Sequence, residues 1–170
     1  MTERAGDNGI VVGVDGSEAS LAALRWAAEQ ARVLHSDLLA VHAWERAAPG
    51  YAPYAPAAAR PTAAQQRERA AEVLASALRE ALGPRIGAAV RGVVVEGPPA
   101  RVLLQQARGA LLLALGRKAH GHFGLPSVGP VGRECLRHAT VPVVTVPVTD
   151  RSRGPLKAVD SPSFAGRGAA

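Results

Sequence analysis

Two short stretches hold residues whose types and spacing could do chemistry. The first is Asp15-Gly16-Ser17, a carboxylate and a hydroxyl flanking a glycine at the end of an apolar run. The second is Gly116 to Gly129, which reads Gly-Arg-Lys-Ala-His-Gly-His-Phe-Gly-Leu-Pro-Ser-Val-Gly. Glycines let backbone N–H groups approach an anion, and a following helix presents its positive end to the same place. Arg117 and Lys118 add side-chain charge, as do His120 and His122 when protonated. The chemistry on offer is phosphate binding, and the alternative is an ordinary surface loop of the same composition. Catalytic patterns are missing. No histidine is placed by sequence to activate Ser17, and there is no nucleophile elbow, chelating helix, carboxylate pair or Gly-x4-Gly-Lys-Ser/Thr loop. The chain reads as a binding protein and not as an enzyme. His120 and His122 have no Cys or carboxylate beside them, so no metal site is assigned. Cys135 reads as a small buried hydrophobe, and Trp26 and Trp44 as packing residues.

These segments need elements to hold them. Ile10 to Val14 is a continuous apolar, β-branched run, the pattern of a buried strand, and Asp15-Gly16-Ser17 after it also has helix-capping chemistry. Leu21, Leu24, Ala28 and Ala31 then recur at helical spacing. Leu38 to Trp44 is a second strand, and Ala47 to Thr62, with four prolines and no periodicity, is a loop. Leu74, Ala77, Leu78 and Ala81 mark a second helix that Gly83-Pro84 ends. Val90 to Glu96 is a third strand, and Gly97-Pro98-Pro99 opens a third helix on which Val102, Leu103 and Ala107 face inward. Leu111 to Leu115 is a fourth strand, a short helix runs from about Val131 to His138, and Pro142 to Pro147 is a fifth strand with the prolines of an edge. Strict β-α alternation predicts an α/β fold: an open, five-stranded parallel sheet with helices on both faces, Rossmann-like. Ligands of such sheets bind beyond the carboxyl ends of the strands, where both chemical segments emerge.

Composition narrows the rest. The 170 residues are 48% hydrophobic and suit one domain, placed at residues 10–148 between a flexible N-terminus, 1–9, and a tail, 149–170. A single cysteine excludes an internal disulfide framework and fits a reducing compartment. No apolar run approaches the roughly 18 residues of a membrane span, and the polar start, with Glu3 and Asp7, is unlike a secretory signal. A cytoplasmic protein without a membrane partner is the expectation. The net charge is +6, but residues 151–170 carry four basic residues and one acidic one, so half the excess lies in a Gly/Ser/Pro/Ala-rich stretch that reads as disordered. The bulk charge is therefore poor evidence for nucleic acid, and aromatics at 4% leave few stacking platforms for it, so a nucleic-acid partner is not expected.

Four pieces in order resemble the bacterial universal stress protein family. They are Val12 to Ser17, Gly97-Pro98-Pro99-Ala100, Leu113 to Gly129, and His138 to Val143, and the likeness runs from about Ile10 to Pro147. The resemblance implies strand order 3-2-1-4-5, homodimers built through the last strand (Val143, Val144, Val146), and in many members ATP, with Mg²⁺, at the glycine loop. By likeness the nucleotide would meet Asp15, Gly16, Ser17, Val41, Gly116, Arg117, Lys118, Ala119, Gly129, Pro130 and Val131. For Asp15 two readings stand: orienting base, ribose or Mg²⁺, or capping the helix. For Val41 they are contact near adenine or plain core packing. The loop departs from the family's ATP-binding form, which is Gly, two residues, Gly, nine residues, Gly, then Ser or Thr. Ala119 stands where the second glycine belongs, Pro130 where the hydroxyl belongs, and Gly132 where a further hydroxyl is usual. Ala119 costs about 1 kcal/mol if its φ must be positive. Pro130 removes a hydroxyl and an N–H, each charge-assisted bond being worth on the order of 1.5–3 kcal/mol. Two functions follow: a nucleotide-binding stress-response protein in which Arg117 and Lys118 compensate by charge, or a family member that has lost ATP and serves as a dimeric interaction module.

Overall fold

The computed structural model describes residues 8–46, 61–84, 89–118 and 128–148. Nine elements alternate along them: β1 (Ile10–Gly13), α1 (Glu18–Leu34), β2 (Leu38–Trp44), α2 (Ala63–Leu82), β3 (Val90–Glu96), α3 (Pro99–Gln106), β4 (Leu112–Arg117), α4 (Pro130–His138) and β5 (Val143–Pro147). The strands form one five-stranded parallel sheet in the order β3-β2-β1-β4-β5. The α/β class, the parallel sheet and its order are as expected. The readings of 1–7, of the Ala47–Arg60 part of the loop, of Ala119 to Ser127 and of 149–170 lie outside the described residues.

Period-two alternation sorts the strand side chains between two apolar layers. Ile10, Val12, Leu38, Ala40 and Ala114 pack under α1 and α2, with Leu24 and Leu74. Val11, Leu39, Val41, Leu113 and Leu115 pack under α3 and α4, with Leu103 and Cys135. β1 is apolar throughout because it is the central strand and is buried on both faces, with Ile10, Val11 and Val12 all at 0% exposure. Trp26 packs against the first layer and Ala28 is only partly buried, its place on the inner face shared with Ala27.

Several element boundaries differ from the sequence reading, those of β1 and β5 by one residue each. α2 begins at Ala63, well before the periodic apolar positions, because Thr62 and Gln65 form a reciprocal capping box that starts the helix while its first turns are exposed and polar. It stops at Gly83, whose φ of +79° an L side chain rarely adopts. β4 starts one residue later than Leu111 and runs on through Gly116 and Arg117, which pair with Val146 and Pro147. α4 begins at Pro130, where a missing N–H costs nothing in the first turn.

Consecutive connections carry the chain from β1 out to β3, and β4 then returns to the other side of β1. The order therefore reverses between β1 and β4, and the carboxyl ends of those strands open a crevice. Gly116 fixes its width. A Cβ at Gly116 would overlap the Ala19 carbonyl and crowd the Ser20 nitrogen, so β4 lies directly on the first turn of α1. At Gly13 an added Cβ meets only the side-chain ends of Leu115 (2.9 Å) and Leu103 (3.2 Å), which can rotate aside. Backbone cannot. Gly116→Ala is therefore expected to lower stability by about 1–3 kcal/mol and Gly13→Ala by clearly less, read as urea-denaturation midpoints at equal m; an unchanged midpoint for Gly116→Ala would show that the helix can retreat.

Candidate functional site

The wall contributed by α1 is a small hydrogen-bond network. Ser17 is the N-cap, its Oγ accepting from the Ser20 amide at 3.2 Å. Asp15 is not the cap; its Oδ1 accepts from the Ser17 amide at 2.9 Å and from the Ser17 hydroxyl at 2.6 Å. The Ser20 hydroxyl donates back to the Ser17 carbonyl at 2.9 Å. Gly16 supplies the turn with φ +81°, and a Cβ there would come within 3.1 Å of Val73 on α2. Partial burial pushes the Asp15 carboxyl upward, and the Ser17 and Ser20 hydrogen bonds outweigh it, so the pKa is held below the ordinary aspartate value. Asp15 is an anion at neutral pH on an exposed lip. His42 steadies the same corner: its Nδ1 lies 2.7 Å from the Val14 carbonyl oxygen, which can only accept, so Nδ1 carries the proton.

The crevice is a cleft of about 620 Å³, within the range of small-molecule sites. Gly13, Val41, Ala43, Leu103 and Leu115 make its apolar floor, with Val41 at 1% exposure. Asp15, Ser17 and Ser20 edge it on the α1 side, and Gly116, Lys118, Gly129, Pro130, Val131 and Gly132 on the other. Eight of the residues singled out by sequence thus meet at one cleft: Asp15, Ser17, Val41, Gly116, Lys118, Gly129, Pro130 and Val131. Gly16 and Arg117 are not among its lining residues, and Ala119 lies outside the described residues. Arg117 keeps its Nε buried with no hydrogen-bond partner among the described residues, so the two neighbouring cations hold different places. Sequence reasoning did not assign Gly13, Val14, Ala19, Ser20, Ala43, Pro99, Leu103 and Leu115 to the cleft, and it noted Gly132 only as a departure from the family's loop. Only position signals them: Ala43 and Leu115 lie towards the carboxyl ends of their strands, and Pro99 opens a helix.

Three helices begin at this cleft, and they begin differently. α1 has its Ser17 cap and Glu18 in the first turn. α3 and α4 have neither a side-chain cap nor an acidic first turn, and each starts with proline. Their first N–H groups, including those of Val131 and Gly132, have no intrahelical acceptor. At Gly132 a Cβ would overlap the Val128 side chain, whereas at Gly129 it would meet open space. Among the described residues no group of three or more His, Cys, Asp or Glu could hold a metal. Cys135 is buried, and desolvation, with a smaller contribution from Glu134, pushes its thiol up to about 11, which leaves it unreactive. No helix among the described residues is long and apolar enough to cross a membrane.

Comparison with known proteins places this geometry in a family. A universal stress protein of Mycobacterium tuberculosis is 33% identical over 135 residues, covering 79% of this chain and 43% of its own length. The chain spans about half the length of the curated relatives it matches. Among solved structures, a universal stress protein in complex with cAMP superposes with a TM-score of 0.59 at 22% identity, over 84% of this chain and 98% of the other. A universal stress protein family protein from Arabidopsis thaliana with AMP bound gives 0.54 at 19%, over 85% and 94%. The universal stress protein family profile matches residues 8–147, from before β1 to the end of β5, and with the 3-2-1-4-5 sheet the chain belongs to that family.

Proposed function

We propose that the cleft binds an adenine nucleotide without turning it over, and that the protein is a nucleotide-responsive regulator in the stress response. The observation that carries this reading is the unbalanced positive end of the cleft. Two helix N-termini converge there uncapped and without a first-turn carboxylate, while Lys118 lines the same wall. Helix dipoles favour an anion at that point. Opposite lies the Asp15 carboxylate, able to accept from ribose hydroxyls, and between them the apolar floor of Val41, Ala43, Leu103 and Leu115 suits a flat base. Solved relatives with cAMP and with AMP support the ligand class. Mg²⁺ takes one or two carboxylates plus phosphates and water, and among the described residues Asp15 is the one carboxylate on the cleft lining, so a Mg-nucleotide would be held through Asp15. The second reading, a homodimeric interaction module that has lost nucleotide and pairs through Val143, Val144 and Val146 at the β5 edge, is favoured by Pro130 and Gly132, which leave α4 without hydroxyls.

Calorimetric titration of the full chain with AMP, cAMP and Mg-ATP separates the two. Nucleotide binding predicts a dissociation constant below about 1 mM for at least one of them, and Lys118→Ala should weaken it about tenfold, the lower end for a charge-assisted bond. No binding of any of the three at millimolar ligand overturns the nucleotide reading and leaves the module. Pro130→Ser, which restores a hydroxyl and an N–H, should raise Mg-ATP affinity more than AMP affinity.

Asp15 gives a pH dependence whose sign is fixed. A carboxyl with a depressed folded pKa adds stability above its unfolded value and loses it as pH falls through the folded one. Wild type should therefore exceed Asp15→Asn in urea-denaturation stability at pH 7, and the gap should close on acidification from about pH 4 downward; a gap that stays constant would show that ionisation of Asp15 does not hold the Ser17 cap.

A further inference from the structure

We infer that the outer face of α3 and α4 is a docking surface for an acidic protein segment that carries apolar side chains among its carboxylates. The folded layers divide their charge unequally. α1 and α2, on one side of the sheet, carry five arginines against five glutamates. On the other side, α3 with the turn after it and α4 carry Arg101, Arg108, Arg133 and Arg137 against the single Glu134, and all five are exposed. Glu134 is already engaged within its own helix, by Arg137 at 3.7 Å and His138 at 3.3 Å. Arg133 donates to the Val128 carbonyl at 3.2 Å, whereas Arg101 and Arg108 have no acidic partner among the described residues. The two helices pack on each other, and Val102, Leu103, Ala107 and Cys135 turn inward beneath them, so the arginines share the outward side.

The kind of partner follows from what stands among the arginines. Leu136 is 50% exposed between Arg133 and Arg137. Guanidinium forks pair bidentately with carboxylates, arginine is enriched among the side chains that carry protein contacts, and Leu136 beside them offers apolar surface to bury. A phosphate backbone would leave Leu136 unused, and no described aromatic lies on these helices to stack on bases. An anionic bilayer calls for several large apolar side chains on the buried face. This face offers one.

The test uses the full chain and a fluorescein-labelled peptide of repeated Glu-Glu-Leu, followed by fluorescence anisotropy. Arg101→Glu with Arg108→Glu should weaken peptide binding at least about tenfold. Arg25→Glu with Arg69→Glu makes the same change in net charge on the α1–α2 side and should leave it within roughly twofold. Leu136→Ser should weaken it severalfold with the fold intact by circular dichroism. Equal losses in both double variants, no measurable peptide binding, or tighter binding of a short DNA duplex or phosphatidylserine vesicles through the same arginines would each overturn the assignment. No nucleotide enters the experiment, so its failure would leave the cleft reading standing.

Discussion

At Gly116 the backbone of β4 runs so close to the first turn of α1 that a single added carbon would overlap the Ala19 carbonyl. Most of the site depends on that approach. It places Lys118 and the α4 N-terminus across from Asp15 and Ser17, so the first and fourth βα connections face one cleft. The contact lies where strand order reverses, the one place in an open sheet where neighbouring connections diverge and leave room between them. A larger residue at Gly116 must displace Ala19 and Ser20, which line the cleft, and Ser20 also belongs to the cap network.

The cleft is polarised by how its helices begin. Ser17, Glu18 and Asp15 neutralise the α1 N-terminus from within, and the depressed Asp15 pKa records how firmly that carboxylate is held. α3 and α4 receive no such neutralisation, and Arg101 and Arg133 stand within four residues of their starts. Cations near a helix N-terminus are unfavourable, by a few tenths of a kcal/mol to about 1 kcal/mol each. Folding alone gains nothing from that arrangement. An anion in the cleft would relieve it at both helices, and an acidic segment on the outer face would relieve it from the other side.

The fold was legible in the sequence because each strand is a bounded apolar run and each helix has a punctuated end; Val90–Glu96 and Leu38–Trp44 could be read to the residue. The start of α2 was not, since its first turns bury nothing and only the Thr62–Gln65 box declares it. In the site, the glycines and charges of the two connections were visible, but orientation was not. Arg117 and Lys118 are neighbours and look equivalent, yet side chains alternate along a strand, and only Lys118 borders the cleft. Of the two readings of Asp15, nucleotide contact and helix cap, the second is corrected: Ser17 is the cap and Asp15 holds it, a distinction of two residues set by where the turn tightens at Gly16. The cleft floor was hidden for a different reason. Leu103, Leu115 and Ala43 are core residues by every local criterion, and they become lining only because the sheet opens above them.

Pro130 and Gly132, taken separately, are two losses from a phosphate loop; packed together, they are one rearrangement. Pro130 opens α4 with a fixed φ and no N–H to satisfy, which settles the helix start without a capping side chain. Gly132 leaves the space that Val128 fills, so apolar contact covers the first turn where a hydroxyl would otherwise stand. The two positions differ in how they could revert. At Pro130 a serine replaces a residue already exposed, and the change is local. At Gly132 a side chain overlaps a Val128 γ-methyl, so the stiff, β-branched Val128 must leave its rotamer first. A hydroxyl at the first position of α4 therefore needs no neighbour to move, whereas one at the third needs Val128 to repack. Under the nucleotide reading proposed above, the donors left at this end are the first backbone amides of α4 and Lys118.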